Sequence, residues 1–260
     1  INKSKIYYKF IFTQKKKINN KKLILINKKN KFIDKIKNSI VYISSINSDH
    51  YYSAKNYLNN KIPVICEKPL TTNLKNTKDL IKISFLNKTP IVENLYFINH
   101  SSYRIIKKVL KNKDLGNIKK VFSNFTTPLN DKKNFRFISS KGGGALNDLG
   151  YYFCALNVYL FNNKPNLKYC EQYIDKKTKI DIGGKSIYKY KNCSFIYKWG
   201  FRSLYKNNIS ISAEKGWIKM DYFYSKPENV NIVLKIKKKN KIITYNFYGE
   251  DQIKKSFLKY

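Results

Sequence analysis

Between residues 39 and 95 the chain alternates short apolar runs with amphipathic ones, and this alternation constrains its fold more than any other feature. "SIVYISSI" (39–46), "VIC" (64–66) and "PIVENL" (90–95) read as strands rich in β-branched residues. Between them, "DHYYSAKNYLNN" places Tyr51, Ala54 and Leu58 on one helical face, with Ser48 as the expected N-cap. "NLKNTKDLIKISFLNK" does the same with Leu74, Leu80, Ile81 and Phe85. Strands separated by helices predict a parallel sheet with right-handed crossovers. In such a sheet ligands sit at the carboxyl ends of the strands. "SSIN" (44–47), "EKP" (67–69) and "EN" (93–94) all fall at that edge. Glu67 and Lys68 are then expected in a crevice, with Pro69 fixing the turn that aims them. A polar sheet rim carrying an ion pair is the alternative reading of the same positions.

Downstream the texture changes. "SSYRIIKKVLKNKDLG" predicts a helix stopped by Gly116, and "NIKKVFSNFTT" a strand. "GGGALNDLGYYFCALNVYLF" (142–161) predicts a helix whose apolar stripe is Leu146, Leu149, Phe153, Leu156 and Leu160. The three preceding glycines allow close approach of something flat or bulky, and Gly150 leaves room for a backbone or ligand. From about 167 to 250, alternating runs joined at "KN", "EKG" and "KKKNK" predict a meander of hairpins. The fold class expected is therefore an α/β Rossmann-type parallel sheet, incomplete at its N-terminus, followed by an α+β domain with a large open, mostly antiparallel sheet. The boundary is expected near residue 95, giving domains 1–95 and 96–260.

The formal charge is +37, from 53 basic and 16 acidic residues. Only Arg104, Arg136 and Arg202 are arginines, and the lysines are spread among Asn and Ile along the whole chain. Arginine is the usual bidentate reader of phosphate and guanine. The charge thus reads as compositional drift, and no nucleic-acid partner is expected. The four cysteines form no CxxC pair and there are two histidines, so no metal site is expected. No apolar run of spanning length occurs, and a cytoplasmic protein without a membrane partner is the expectation.

Asp148 and Tyr152 stand at i and i+4 on the 142–161 helix. A carboxylate and a phenol beside a lysine suggest proton transfer, the ammonium favouring the phenolate. Among 22 tyrosines, however, Tyr152 also reads as one more core aromatic.

"VYISSINSDHYYSAKNYLNNKIPVICEKPL" resembles the Gfo/Idh/MocA oxidoreductase family, in which a TPNxxH-type turn, a helix and an EKP loop follow in this order. "GGGALNDLGYY" is similar to that family's second signature. "VENLYFINHSSYRIIKKVL", "LGNIKKVFSNFTTPL" and "NFRF" resemble its tyrosine-type branch, which includes NDP-hexose 3-ketoreductases, glucose–fructose oxidoreductase and dihydrodiol dehydrogenase. The resemblance covers roughly residues 39–250. It implies hydride transfer with NAD or NADP to or from a sugar or nucleotide-sugar substrate. It makes Lys68 and Tyr152 catalytic, Lys68 polarising a carbonyl and Tyr152 supplying the proton. It makes Asp148, Arg136 and His100 substrate-binding, and Ser45, Asn47, His50, Glu67 and Lys68 cofactor-binding. It also implies a homo-oligomer formed through the open sheet, with which the aromatic strands at 193–201 and 217–224 are compatible. A lone histidine beside a helix start is more often a hydrogen-bonded structural residue than a catalyst, and that is the alternative reading of His50.

One family element is missing. Residues 1–38 contain no glycine, so the GxGxxG turn that cradles a pyrophosphate is not there. "KIYYKFIFT" (5–13) then reads as the family's second strand and "KFIDKIKN" as the next helix. Either the chain is a fragment, or it is a cofactor-free relative serving as a sugar-binding or structural subunit.

Overall fold

The computed structural model describes residues 10–11, 24–25, 39–227 and 229–249. Strands β1 (Phe10–Ile11) and β2 (Ile24–Leu25) pair in parallel. The expected second strand is thus described only at Phe10–Ile11, and the expected helix at 31–38 lies outside the described residues.

The predicted alternation follows. β3 (Val41–Ile43), α1 (Asn47–Asn59), β4 (Val64–Glu67), α2 (Leu74–Leu86) and β5 (Ile91–Asn94) build a parallel sheet of order β3-β4-β5. Register aligns Ile43 with Cys66 and Cys66 with Glu93, so the polar strand ends share one edge. Its core is Ile43, Ala54, Leu58, Ile62, Val64, Cys66 and Leu80. Two details differ from expectation. α1 begins at Asn47 behind Ile46, so Ser48 lies inside the first turn and its hydroxyl turns to Asp49. α2 is capped by Asn73, which accepts the Asn76 amide at 2.9 Å, but of its expected apolar face only Leu80 is buried. Leu74, Ile81 and Phe85 are exposed, because the helix meets the sheet along a narrower stripe than its sequence offers.

α3 (Ser101–Lys111) follows, then β6 (Ile118–Thr126). α3 stops before Gly116, whose left-handed φ of 74° instead lets Glu214 approach. The expected 142–161 helix is shorter. The glycines form a turn, Leu146–Gly150 winds as a wider π-helical turn, and α4 is Tyr151–Tyr159. Leu146 leaves the stripe and is exposed.

β7 (Asn166–Ile174), β8 (Asp181–Tyr190), β9 (Cys193–Gly200), β10 (Lys206–Ala213), β11 (Gly216–Asp221), β12 (Ile232–Lys238) and β13 (Lys241–Phe247) complete an eight-stranded sheet. Its order is β13-β12-β11-β10-β6-β9-β8-β7, so the meander is split and β6 fills the gap. Only the β6–β9 pair is parallel; every other neighbour is antiparallel. α4 packs on one face through Phe153, whose ring stacks on Tyr197 at 4.6 Å. In the aromatic segments 193–201 and 217–224, Phe195, Tyr197, Trp199, Phe223 and Tyr224 are all buried. Helix α4 needs an apolar bed, and Phe195, Tyr197 and Trp199, at alternate positions of β9, share the face that supplies it.

Candidate active site

The end of β4 delivers Glu67 and Lys68 to the rim of the parallel sheet, followed by a cis Lys68–Pro69 peptide. His50, fully buried on α1, bridges this loop to the preceding one. Its Nδ1 lies 2.8 Å from the Pro69 carbonyl oxygen and its Nε2 3.1 Å from that of Ser45.

From the second layer the π-helical turn brings Asp148 to the same place. The Lys68 ammonium donates to the Asp148 carboxylate at 2.7 Å and to its main-chain carbonyl at 2.6 Å. Arg136 Nε donates to the other Asp148 oxygen at 2.7 Å, its guanidinium lying 4.7 Å from the centre of the Phe135 ring. One carboxylate is therefore shared by two cations. The Tyr152 ring sits beneath the ammonium, 4.9 Å from Nζ to its centre. Phe97, Phe125 and Tyr224 close around that ring at centroid distances of 5.8, 5.3 and 5.2 Å.

Electrostatics follow from burial and pairing. Burial works against the Asp148 charge, but Lys68 and Arg136 more than offset it and hold the carboxyl below its ordinary range. Burial likewise opposes the Lys68 charge, and the Asp148 carboxylate it donates to overcomes it, so the ammonium is held above its ordinary value. Tyr152 corrects the expectation of a lowered phenol. Burial raises it, Lys68 pulls it down and Asp148 pushes it up, with a net rise. In this state Tyr152 keeps its proton, the form a proton donor needs.

The remaining expected residues are placed as follows. The Glu67 carboxylate accepts the Tyr42 and Tyr96 hydroxyls and the Asn94 amide at 3.1 Å, on the face opposite Glu93. Burial first, then Glu67, pushes the Tyr96 phenol far up. Asn47 spends its side-chain amide on the Gly142 carbonyl at 2.9 Å, tying α1 to the glycine turn. Ser45 is exposed at the sheet edge. His100 is the N-cap of α3: it is fully buried, its Nδ1 accepts the Ser102 amide at 3.1 Å, and its ring meets Phe247 edge-on at 5.2 Å. Capping takes up the Nδ1 edge of the side chain for which a substrate contact was expected.

The close approaches allowed by the glycines are made by the protein itself. A Cβ on Gly142 would lie 2.7 Å from the Thr72 methyl, and one on Gly143 2.6 Å from the Arg136 carbonyl oxygen. Gly144, at φ 112°, faces Asp181, whose other oxygen accepts the Leu146 amide at 2.5 Å. Gly150 is packed by Trp199.

Sequence reasoning missed the aromatic enclosure of Tyr152 and the pair Glu93–Tyr151. The Glu93 carboxylate accepts the Leu70 amide at 2.5 Å and the Tyr151 hydroxyl. Burial raises the Glu93 carboxyl, those two donors pulling it back. The available signal was positional: Glu93 is aligned with Cys66 at the same edge as Lys68, and Tyr151 precedes Tyr152.

The sheet edge presents exposed Ser44 and Ser45 on one loop and Lys68 on the next. Comparison with known proteins bears on the fold and family. Residues 19–88 match the model described as "Oxidoreductase family, NAD-binding Rossmann fold", and residues 103–219 the "GFO/IDH/MocA C-terminal domain". A dTDP-3,4-didehydro-2,6-dideoxy-alpha-D-glucose 3-reductase of Saccharopolyspora spinosa is 22% identical over 74% of this chain and 58% of its own length. A trans-1,2-dihydrobenzene-1,2-diol dehydrogenase of Xenopus laevis is 25% identical over the same shares, 74% and 58%. The chain thus spans a little over half the length of these relatives. Among solved structures, a 3-ketoreductase from Actinomadura kijaniata in complex with NADP and TDP-benzene superposes with a TM-score of 0.78 at 21% identity, over 85% of this chain and 68% of that one. An aldose-aldose oxidoreductase from Caulobacter crescentus gives 0.78 at 17% identity, over 87% and 70%. Both of the family's domain models are matched in order along one polypeptide, and the chain belongs to the Gfo/Idh/MocA oxidoreductase family.

Proposed function

We propose that the chain carries the catalytic centre of an NAD(P)-dependent oxidoreductase acting on a sugar or nucleotide-sugar carbonyl or alcohol. One observation carries this reading: a paired ammonium, Lys68, lies against a proton-bearing, enclosed phenol, Tyr152. The nicotinamide supplies or accepts the hydride. The protein's residues do the rest. In the reducing direction Tyr152 gives its proton to the substrate oxygen as the carbonyl carbon becomes tetrahedral. Lys68 hydrogen-bonds the same oxygen and stabilises the phenolate left behind, in a site where burial makes that attraction strong. Solvent returns the proton. Asp148 keeps Lys68 charged and aimed, and with Arg136 offers hydrogen bonds to sugar hydroxyls. Ser45 and Lys68 line the nicotinamide ribose, while Asn47, His50 and Glu67 fix the loops that present them.

The division near residue 95 separates this cofactor-facing sheet from the layer bearing Tyr152. Subunits pair through the open face of the large sheet, where Phe122, Ile187 and Ile196 share one side by register. Unpaired cysteines fit a reducing cytoplasm.

The test is turnover of reduced nicotinamide with a panel of keto-sugars and nucleotide keto-sugars. Keto-sugar-dependent oxidation of the nicotinamide supports the reading. Binding of sugar without any nicotinamide binding favours the second reading, a cofactor-free relative.

A further inference from the structure

We propose that Glu93 is a positioning residue that locks the Lys68 loop and the Tyr152 helix together, so that the two groups stay opposed while Lys68 engages substrate. The proposal rests on the reaction assigned above.

Glu93 is the third residue of β5, a strand bound to β4 and thus part of the rigid sheet. Its Oε1 accepts the Leu70 amide, two residues beyond Lys68. Its Oε2 accepts the hydroxyl of Tyr151, the residue before Tyr152. One carboxylate thus fixes both segments to a common strand. Charge-assisted hydrogen bonds of this kind are the strong, geometrically demanding ones.

Other ties do not replace this one. His50 holds the Pro69 carbonyl and Asn47 holds Gly142, but both fasten their loops to α1. The Lys68–Asp148 pair does span the two layers. It cannot serve as the lock during reaction, because the same ammonium must turn a hydrogen bond toward the substrate oxygen. Glu93 makes no contact that the reaction consumes. Its own neighbours are Tyr151, the Leu70 amide, Cys66 across the strand pair, and the side chains of His50 and Lys68.

The experiment uses the full chain and three variants, Glu93→Ala, Glu93→Gln and Tyr151→Phe, with two readouts. The first is amide hydrogen exchange, which needs no activity. Glu93→Ala is expected to speed exchange at Leu70 and across 146–152. Tyr151→Phe should speed only the latter. Glu93→Gln, whose amide can accept from Leu70 and donate to Tyr151, should restore both. The second readout is steady-state kinetics. A displacement of about 1 Å at reacting groups costs on the order of 100-fold, so Glu93→Ala should lower kcat by that order with KM nearly constant, and Glu93→Gln should recover most of it.

Unchanged exchange at 146–152 in Tyr151→Phe, or wild-type kcat in Glu93→Ala, overturns the proposal. If Glu93→Ala does not fold, the Gln and Phe variants decide by the same criteria. Exchange changes as expected in a chain that never oxidises nicotinamide would leave the lock standing and remove the reaction it was assigned to.

Discussion

The Lys68 ammonium lies 4.9 Å from the centre of the Tyr152 ring, although the two residues come from different layers of the molecule. The contact joins a loop after a parallel strand to a helix that rests on an antiparallel sheet. Replacing Tyr152 by Phe keeps the ring inside its enclosure of Phe97, Phe125 and Tyr224 and removes only the proton. General acids of this kind contribute about 10²–10⁴-fold. Tyr152→Phe is therefore expected to lower kcat by that order with an unchanged melting curve. Lys68→Met should lower it similarly and cost about 1.5–3 kcal/mol of stability, the range for a hydrogen bond to a charged group. Initial rates and thermal unfolding of the two variants check both statements.

Asp148 is shared by Lys68 and Arg136, each at 2.7 Å. Substituting Asn leaves two cations facing a neutral amide in a site where these side chains are mostly buried. The expected loss near pH 7 is about 3–5 kcal/mol, the range for breaking a buried pair. The folded pKa of Asp148 lies below its unfolded value of about 3.9. Its stabilisation is thus complete above that pH and fades as pH falls toward the folded value. Urea unfolding of the wild-type chain and Asp148→Asn should differ fully at pH 7 and converge progressively below about pH 4.

His50 accounts for the shape of the lysine loop. Its ring fills the space between the Ser45 and Pro69 carbonyls and is fully buried. His50→Ala leaves the buried Pro69 carbonyl and the Ser45 carbonyl without that partner. The expected loss is about 1–3 kcal/mol, together with weaker nicotinamide binding as the Ser45 and Lys68 loops separate. Fluorescence titration with reduced nicotinamide measures the second effect. Wild-type affinity in this variant would show that the ring only fills space.

Gly144 is held at φ 112° against the Asp181 carboxylate, a place with no room for a methyl group. Gly144→Ala should cost at least about 2 kcal/mol from backbone conformation and overlap together. That corresponds to roughly 4–8 °C in Tm for a chain of this size. The further change Asp181→Ala should recover the steric part but not the conformational part, as differential scanning calorimetry would show.

Much of this was legible in local pattern. The β3-β4-β5 alternation, the EKP edge, the hairpins after residue 181 and the meeting of Lys68 with Tyr152 follow from spacing and from the two signatures taken together. What escaped is non-local. Nothing in "IKKVFSNFT" says that it will divide a meander, because strand order depends on which edges are still open when the sheet closes. The inward turn of Phe195, Tyr197 and Trp199 depends on where α4 lies, not on their own alternation, which fits either face. The rise of the Tyr152 pKa escaped for a related reason. A neighbouring ammonium can be read from a motif, whereas Phe97, Phe125 and Tyr224 come from three distant segments. His100 likewise matched a motif position, but its role as a cap was set by the turn before α3.

The insertion of β6 between β9 and β10 has a consequence for synthesis on the ribosome. β6 ends at Thr126, whereas β9 begins at Cys193 and β10 at Lys206. At about 5–20 residues per second, the strand emerges several seconds before either neighbour exists. Through that interval both of its edges are open, and the apolar side chains of Val121 and Phe125 have no sheet to join. The hairpins on either side can form locally as they appear, so the nascent chain reaches its mature form only when two finished halves close on a strand made long before them.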